Sequence, residues 1–87
     1  MHEASLMNDL VRKIEAVARE QNARRVVGVS VRLGALSHMS PSHFREHFSV
    51  ASQGTLAAGA ELKIEVLTDS SDPQAQEILL ESVEIAD

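Results

Sequence analysis

The spacing of the apolar residues changes at Asn22, and this change constrains the fold more than any other feature of the sequence. From about Ala4 to Gln21 the spacing is helical, so the apolar side chains share one stripe. The stripe consists of Leu6, Met7, Leu10, Val11, Ile14, Val17 and Ala18. From Arg24 to Leu33 every second residue is apolar, which is typical of a strand with one buried face. The inward residues are predicted to be Val27, Val29, Val31 and Leu33. This succession predicts a helix that packs on a sheet.

A second helix is predicted to begin at Ser40 and Pro41. Serine is a favoured N-cap residue, and proline fits the first helical position because it has no N–H to satisfy there. The helix is expected to run to about Ser52, and its apolar stripe consists of Phe44, Phe48 and Ala51. We therefore expect this helix to pack on the same sheet as the first.

Two further strands are predicted near the end of the sequence. Glu61 to Thr68 alternates apolar and polar residues. Glu77 to Ile85 also alternates, but the apolar residues change once from one face of the strand to the other. A β-bulge near Glu81–Ser82 would explain that change. The element order is then α-β-α-β-β, and we predict an α/β (α+β) fold with two helices packed on a three-stranded mixed sheet. The last two strands are predicted to form an antiparallel hairpin, and the first two, if parallel, require a right-handed crossover.

Composition and charge exclude several classes of function. The net charge of -5 argues against nucleic acid, which requires a basic face. No apolar run approaches the ~20 residues that span a bilayer, and no signal peptide is recognised, so a cytoplasmic protein is predicted. There is no cysteine, which excludes disulfides and thiolate metal sites. No nucleophile–base set or pair of carboxylates indicates an enzyme.

The first three residues form a candidate metal site: Met1, His2 and Glu3. A free α-amine has a pKa near ~7.7–8.0, so a metal ion can displace its proton at neutral pH. The imidazole of His2 and the peptide nitrogens of His2 and Glu3 are further donors, with the Glu3 carboxylate as an alternative. Such nitrogen-rich planar sets favour Ni(II) or Cu(II). The structural alternative is an ordinary frayed terminus.

Three other histidines are also candidate ligands. His43 and His47 are four residues apart on the second helix and therefore share a face, as pairs of metal ligands often do. His38 lies in the preceding loop. Because no third ligand is evident and His47 lies beside the phenylalanine stripe, a partly buried structural histidine is the favoured interpretation. A metal site formed by this pair, with or without His38, is the alternative.

Four blocks of the sequence form a recognisable ordered set. They are Met1-His2-Glu3-x-Ser5-Leu6, Val29-x-Val31-x-Leu33-Gly34-x-Leu36-Ser37, Gly54-Thr55-Leu56-Ala57-x-Gly59-Ala60-x-Leu62-x-Ile64, and Leu80-Glu81-Ser82-Val83-Glu84-Ile85. Together they resemble the HypA/HybF nickel metallochaperones of hydrogenase maturation. The resemblance implies that Ni(II) is bound by the amine of Met1, by His2 and by the backbone of Glu3. It also implies that a HypB-type GTPase, which docks on the first helix, helps to pass nickel to the large subunit of [NiFe]-hydrogenase, or in some bacteria to urease.

One departure from the family is large. The resemblance implies a zinc lobe with two CxxC pairs between the last two strands, whereas this chain has only the loop Thr68–Gln76 there, through deletion or natural loss. We therefore predict a single nickel-binding domain, residues 1–87, and no bound zinc. A metal-independent interaction module that docks on the GTPase is the alternative. The short hinge between the strands predicts, in addition, a homodimer formed by strand exchange.

Overall fold

The computed structural model describes the backbone of residues 3–86 and the side chains from Leu6 to Ala86. The elements are α1 (Glu3–Glu20), β1 (Arg25–Leu33), α2 (Pro41–Ala51), β2 (Glu61–Val66) and β3 (Ile78–Ala86). The strands form one mixed sheet in the order β2-β1-β3, in which β1 is parallel to β2 and antiparallel to β3. The predicted element order and fold class are confirmed.

Five of the seven residues of the predicted stripe of α1 face the core, and Leu6 is half-buried. Met7, Leu10, Val11, Ile14 and Ala18 are buried, but Val17 is 38% exposed and lies at the edge of the stripe. The helix ends where it was expected to end, since Asn22 has a left-handed backbone (φ 56°). The Ala23 N–H then donates to the Ala18 carbonyl at 2.9 Å, which satisfies an acceptor that the helix leaves open. Within residues 3–86 we find no helix whose length and hydropathy would let it cross a bilayer.

At the start of β1, the alternation of buried and exposed residues differs from the prediction. Val26 is 2% exposed and Val27 is 38% exposed, so the prediction that Val27 faces the core is wrong. The register between β1 and β3 shifts between Val26 and Gly28, which leaves Val27 as an extra residue. Such a β-bulge reverses the parity of the residues before it and places Val26 on the same face as the later valines.

A second bulge lies in β3, close to the predicted position. Ser30 pairs with Ser82 and Val31 with Leu80, so Glu81 is the unpaired residue, and the predicted bulge is confirmed. Because of it, residues on either side of the bulge pack against the same core. These are Ile78, Leu80 and Val83.

The predicted hairpin between the last two strands is wrong. β2 and β3 occupy opposite edges of the sheet, and β1 lies between them. The connecting segment 67–77 crosses the C-terminal end of β1. It is held there by hydrogen bonds from the Leu67 N–H to the Leu33 carbonyl (2.8 Å) and from the Gly34 N–H to the Glu77 carbonyl (2.9 Å). β1 takes the centre because it is the most buried strand and can pair on both edges.

The outer face of the sheet carries an ion-pair group centred on Arg32. Its guanidinium contacts Glu65 on β2 (3.1 Å) and Glu81 on β3, and all three side chains are largely solvated. We expect Arg32→Gln to lower the free energy of unfolding by less than about 1 kcal/mol, because solvent screens such pairs. Urea unfolding at low and at 1 M salt measures this, and the small loss should shrink further at high salt. A loss above about 2 kcal/mol that persists at 1 M salt contradicts it.

Candidate metal centre

One of the three predicted ligands, Glu3, lies at the start of α1. Met1 and His2 lie outside the described residues, so their placement as ligands stays a prediction. Glu3 is the first residue of α1. Of the three predicted ligands, it is therefore the one whose backbone the structure describes.

The start of a helix suits a peptide nitrogen that must bind a metal. The first four N–H groups of an α-helix have no acceptor within the helix. The peptide nitrogen of Glu3 therefore belongs to no helical hydrogen bond, and a metal can replace its proton without unwinding α1. The positive end of the helix dipole also stabilises negative charge, which includes that of a deprotonated peptide nitrogen.

The first turns of α1 are anchored one turn beyond the predicted ligands. Met7 is 1% and Leu10 8% exposed, and both belong to the core. A cleft of only about 60 Å³ lies beside them, between α1 and Ile78 at the start of β3. This volume is far below the ~300 Å³ of a small-molecule site. The described surroundings of the terminus thus fix the helix rather than form a ligand pocket.

The three remaining histidines are not brought together into one site. The rings of His43 and His47 stack on α2, with centroids 4.5 Å apart and planes 20° apart. His43 is exposed and His47 is half-buried, so the interpretation as a partly buried histidine fits His47 alone. His38 is exposed in the loop, with φ 58°. Among the described side chains, no three of His, Cys, Asp or Glu are grouped so as to hold a metal ion.

An open groove of about 400 Å³ lies between α2 and the start of β2. Arg45 crosses it and donates to the Leu62 carbonyl at 3.2 Å, and Phe48 and Gly59 contribute to its walls. No histidine lines the groove. Sequence reasoning did not find it, because it forms between segments that are distant in the sequence and no residue pattern marks it.

A protein-family comparison decides the classification. A family described as hydrogenase/urease nickel incorporation, metallochaperone, hypA matches residues 1–72. The chain belongs to this family. The family is one of metallochaperones and not of enzymes, and the matched span includes all three predicted ligands, Met1, His2 and Glu3.

Individual relatives agree with the family. The chain is 42% identical over 66 residues to the hydrogenase maturation factor HypA of Archaeoglobus fulgidus, which covers 76% of this chain and 60% of that protein. It is 40% identical over 67 residues to HypA of Methylocella silvestris, with 77% of this chain and 59% of that protein covered. The chain therefore spans about 60% of the length of these curated relatives.

A solved structure has the same fold. The solution structure of the Ni metallochaperone HypA from Helicobacter pylori superposes with a TM-score of 0.81. The match covers 99% of this chain and 98% of that one, at 23% identity. This likeness establishes the architecture of α1, α2 and the three strands.

The segment between β2 and β3, where the HypA resemblance implies a zinc lobe, is closed by its own hydrogen bonds. Asp69 accepts from the Ser71 hydroxyl at 2.6 Å and from the Ser71 N–H at 3.0 Å, and these two bonds hold the pKa of Asp69 below its ordinary value. Asp72 accepts from the Gln74 N–H at 2.8 Å. Since the sequence has no cysteine, this segment supplies no thiolate for zinc.

Proposed function

We propose that residues 1–87 act as a single nickel-binding domain that carries Ni(II) during the maturation of [NiFe]-hydrogenase, or of urease, in the cytoplasm. The observation that carries this proposal is the match of the HypA family to residues 1–72, because that span includes the candidate ligands. The family's description names nickel incorporation, and the donors at the start of this chain are of the kind that Ni(II) prefers.

Each of the first three residues has a role in this proposal. Met1 gives its α-amine, His2 gives its imidazole and peptide nitrogen, and Glu3 gives its peptide nitrogen or its carboxylate. Two deprotonated peptide nitrogens balance the double charge of Ni(II). The complex is then locally neutral, and the positive end of the α1 dipole does not oppose it. The proposal requires that the amine of Met1 is free.

The position of these donors suits a protein that must give up its metal. They precede Met7, which is the first core residue described in α1. A receiving protein can therefore reach the ion without opening the core. We propose that the [NiFe]-hydrogenase large subunit is the receiver, and that a HypB-type GTPase docks on the solvent face of α1. That face is exposed and mixed in charge at Asp9, Arg12 and Lys13.

Titration of the unmodified chain with Ni(II) tests the proposal. We expect one Ni(II) per chain by calorimetry, and a yellow, diamagnetic complex if the nitrogens are arranged in a plane. A paramagnetic complex would indicate more oxygen and water ligands at the same site. Mass spectrometry of the starting protein must confirm that Met1 is present and unblocked. Absence of stoichiometric binding by such a protein would overturn the proposal.

The alternative function is a metal-independent interaction module that docks on the GTPase. The absence of cysteine favours it, because the zinc lobe that the family resemblance implies has no ligands here. The two functions differ in a single comparison. If the chain is an interaction module, it binds a HypB-type GTPase equally well with and without His2→Ala, and its Ni(II) affinity does not exceed that of the variant. If it is a metallochaperone, the variant loses nickel binding.

A further inference from the structure

We propose that His43 and His47 form a second, weaker site for a divalent transition metal on the surface of α2. This inference goes beyond the proposed function and does not depend on it. Its basis is the pair of imidazole rings stacked at 4.5 Å on one helical face. Imidazole is a common ligand for Zn(II), Ni(II) and Cu(II), and two imidazoles can chelate one ion.

The helix backbone holds the two histidines at a fixed spacing. An isolated helix as short as α2 is marginal in water, but α2 is pinned by its packing. Phe44 is fully buried and Phe48 is 2% exposed, and each directly follows one of the histidines. The first turn is fixed as well, because the Ser40 hydroxyl accepts from the His43 N–H at 3.2 Å. The pair is therefore presented by a rigid element and not by a loop.

The stacked rings need only a small movement to chelate an ion. Metal–nitrogen bonds of about 2.0–2.1 Å require the two ligating nitrogens to be roughly 3 Å apart. The ring planes are already nearly parallel, 20° apart. Tilting the two rings about their side-chain bonds brings the nitrogens together. Such rotamer changes are fast and leave the backbone in place.

On α2 itself, the charged residue nearest the pair is an acid. On a helix with about 100° per residue, Glu46 and Val50 lie beside the pair, and Arg45 lies on nearly the opposite side. Arg45 is moreover directed away, since its guanidinium donates to the Leu62 carbonyl. With two protein ligands and water in the remaining positions, the site binds an exchangeable ion, as a transient holding place for a metal requires.

The test uses a chain that retains only this pair of histidines. The sequence has four histidines, so His2→Ala with His38→Ala leaves His43 and His47. We expect this chain to bind one Zn(II), with changed imidazole signals in NMR. We also expect its unfolding temperature to rise by about 5–10 °C when free Zn(II) exceeds Kd by tenfold or more.

The matched control keeps two histidines but separates them. His47→Ala with Ser49→His, in the same background, places the second imidazole about 120° from His43 around the helix. We expect this control to lose the Zn(II)-dependent rise in unfolding temperature. Equal binding by the control, or no binding by the chain that retains the pair, would overturn the proposal. The proposal would also be overturned if His43→Ala in the otherwise unchanged chain abolished tight Ni(II) binding as His2→Ala does. The pair would then belong to the terminal site.

Discussion

His2→Ala is expected to weaken Ni(II) binding by about 100-fold or more, equivalent to about 2.7 kcal/mol. The imidazole is one of the direct ligands in the proposed set. Loss of mere supporting groups around a metal already lowers affinity about 10–100-fold, so loss of a ligand should do at least as much. The fold should be unchanged, because the first core side chain described in α1 is Met7. Calorimetry measures the affinity, and circular dichroism with thermal unfolding checks the fold.

Two substitutions of Glu3 distinguish its peptide nitrogen from its carboxylate. Glu3→Ala removes the carboxylate and keeps the N–H, so it should leave planar Ni(II) binding nearly unchanged. Glu3→Pro also removes the N–H that a metal must replace. Proline is well tolerated at the first helical position, so α1 should still form. If Glu3→Ala weakens binding as strongly as Glu3→Pro, the carboxylate is the ligand.

A blocked terminus and the remaining histidines provide the controls. Acetylation of the Met1 amine should reduce affinity as His2→Ala does, since the amine is a second ligand. His38→Ala should have no effect on tight binding, because His38 lies in the exposed loop before α2. Unchanged Ni(II) affinity in both His2→Ala and the acetylated chain would contradict the terminal site and reduce the family relationship to a shared fold.

The elements of the fold could be predicted because each has a local signature. The helical stripe before Asn22, the Ser40–Pro41 cap and the parity change near Glu81 are all local, and the structure confirms each of them. The parity of Val26 and Val27 could not be predicted, because that bulge is set by the pairing with β3. A run of two valines and a glycine does not reveal which residue is unpaired.

Strand order was the larger failure, and it has a physical reason. Strands that are consecutive in the sequence often pair, so a hairpin was expected across the loop Thr68–Gln76. The long, apolar β1 nevertheless takes the centre of the sheet, where it buries more surface than β2 could. The strand-exchange homodimer stays a prediction. The segment that would act as its hinge, residues 67–77, crosses the sheet and makes internal hydrogen bonds, so it is not the short hairpin loop on which the prediction was based. The mass of the protein in solution measures it directly.

For the candidate metal site, the sequence predicted the ligands and the structure added the position of one of them. The candidate ligands Met1, His2 and Glu3 came from donor chemistry and from the family resemblance, and the family match covers them. What the structure adds is the helical position of Glu3, which leaves its N–H outside the helical hydrogen bonds. The stacking of His43 on His47 follows from their spacing, but their ring geometry could not be read from the sequence.

Gly34→Ala is expected to lower the free energy of unfolding by about 3 kcal/mol, near the upper end of the usual range for overpacking. At Gly34 the connecting segment, residues 67–77, crosses the C-terminal end of β1. An added Cβ would stand 2.2 Å from the Ala75 carbonyl oxygen and 2.8 Å from that of Gln74. Both are backbone atoms, and the Ala75 carbonyl also accepts from the Leu36 N–H at 2.7 Å. The crossing segment must therefore move and lose hydrogen bonds. Since Gly34 is not among the glycines with positive φ, the requirement is for space.

Gly28→Ala is the matched control, because Gly28 lies in β1, which Gly34 directly follows, and its φ is also not positive. There a new Cβ would meet the side chain of Glu84, with its Cδ at 3.2 Å, and that side chain is solvated and able to turn away. We expect a change of less than about 1 kcal/mol, since alanine also restricts the unfolded chain. In thermal unfolding the two variants should differ by roughly 10 °C or more for a domain of this size. Equal losses would contradict a special requirement for space at the backbone crossing. A larger loss for Gly34→Ala would instead identify the backbone crossing at Ala75 as the reason why the Leu33–Gly34 step requires glycine.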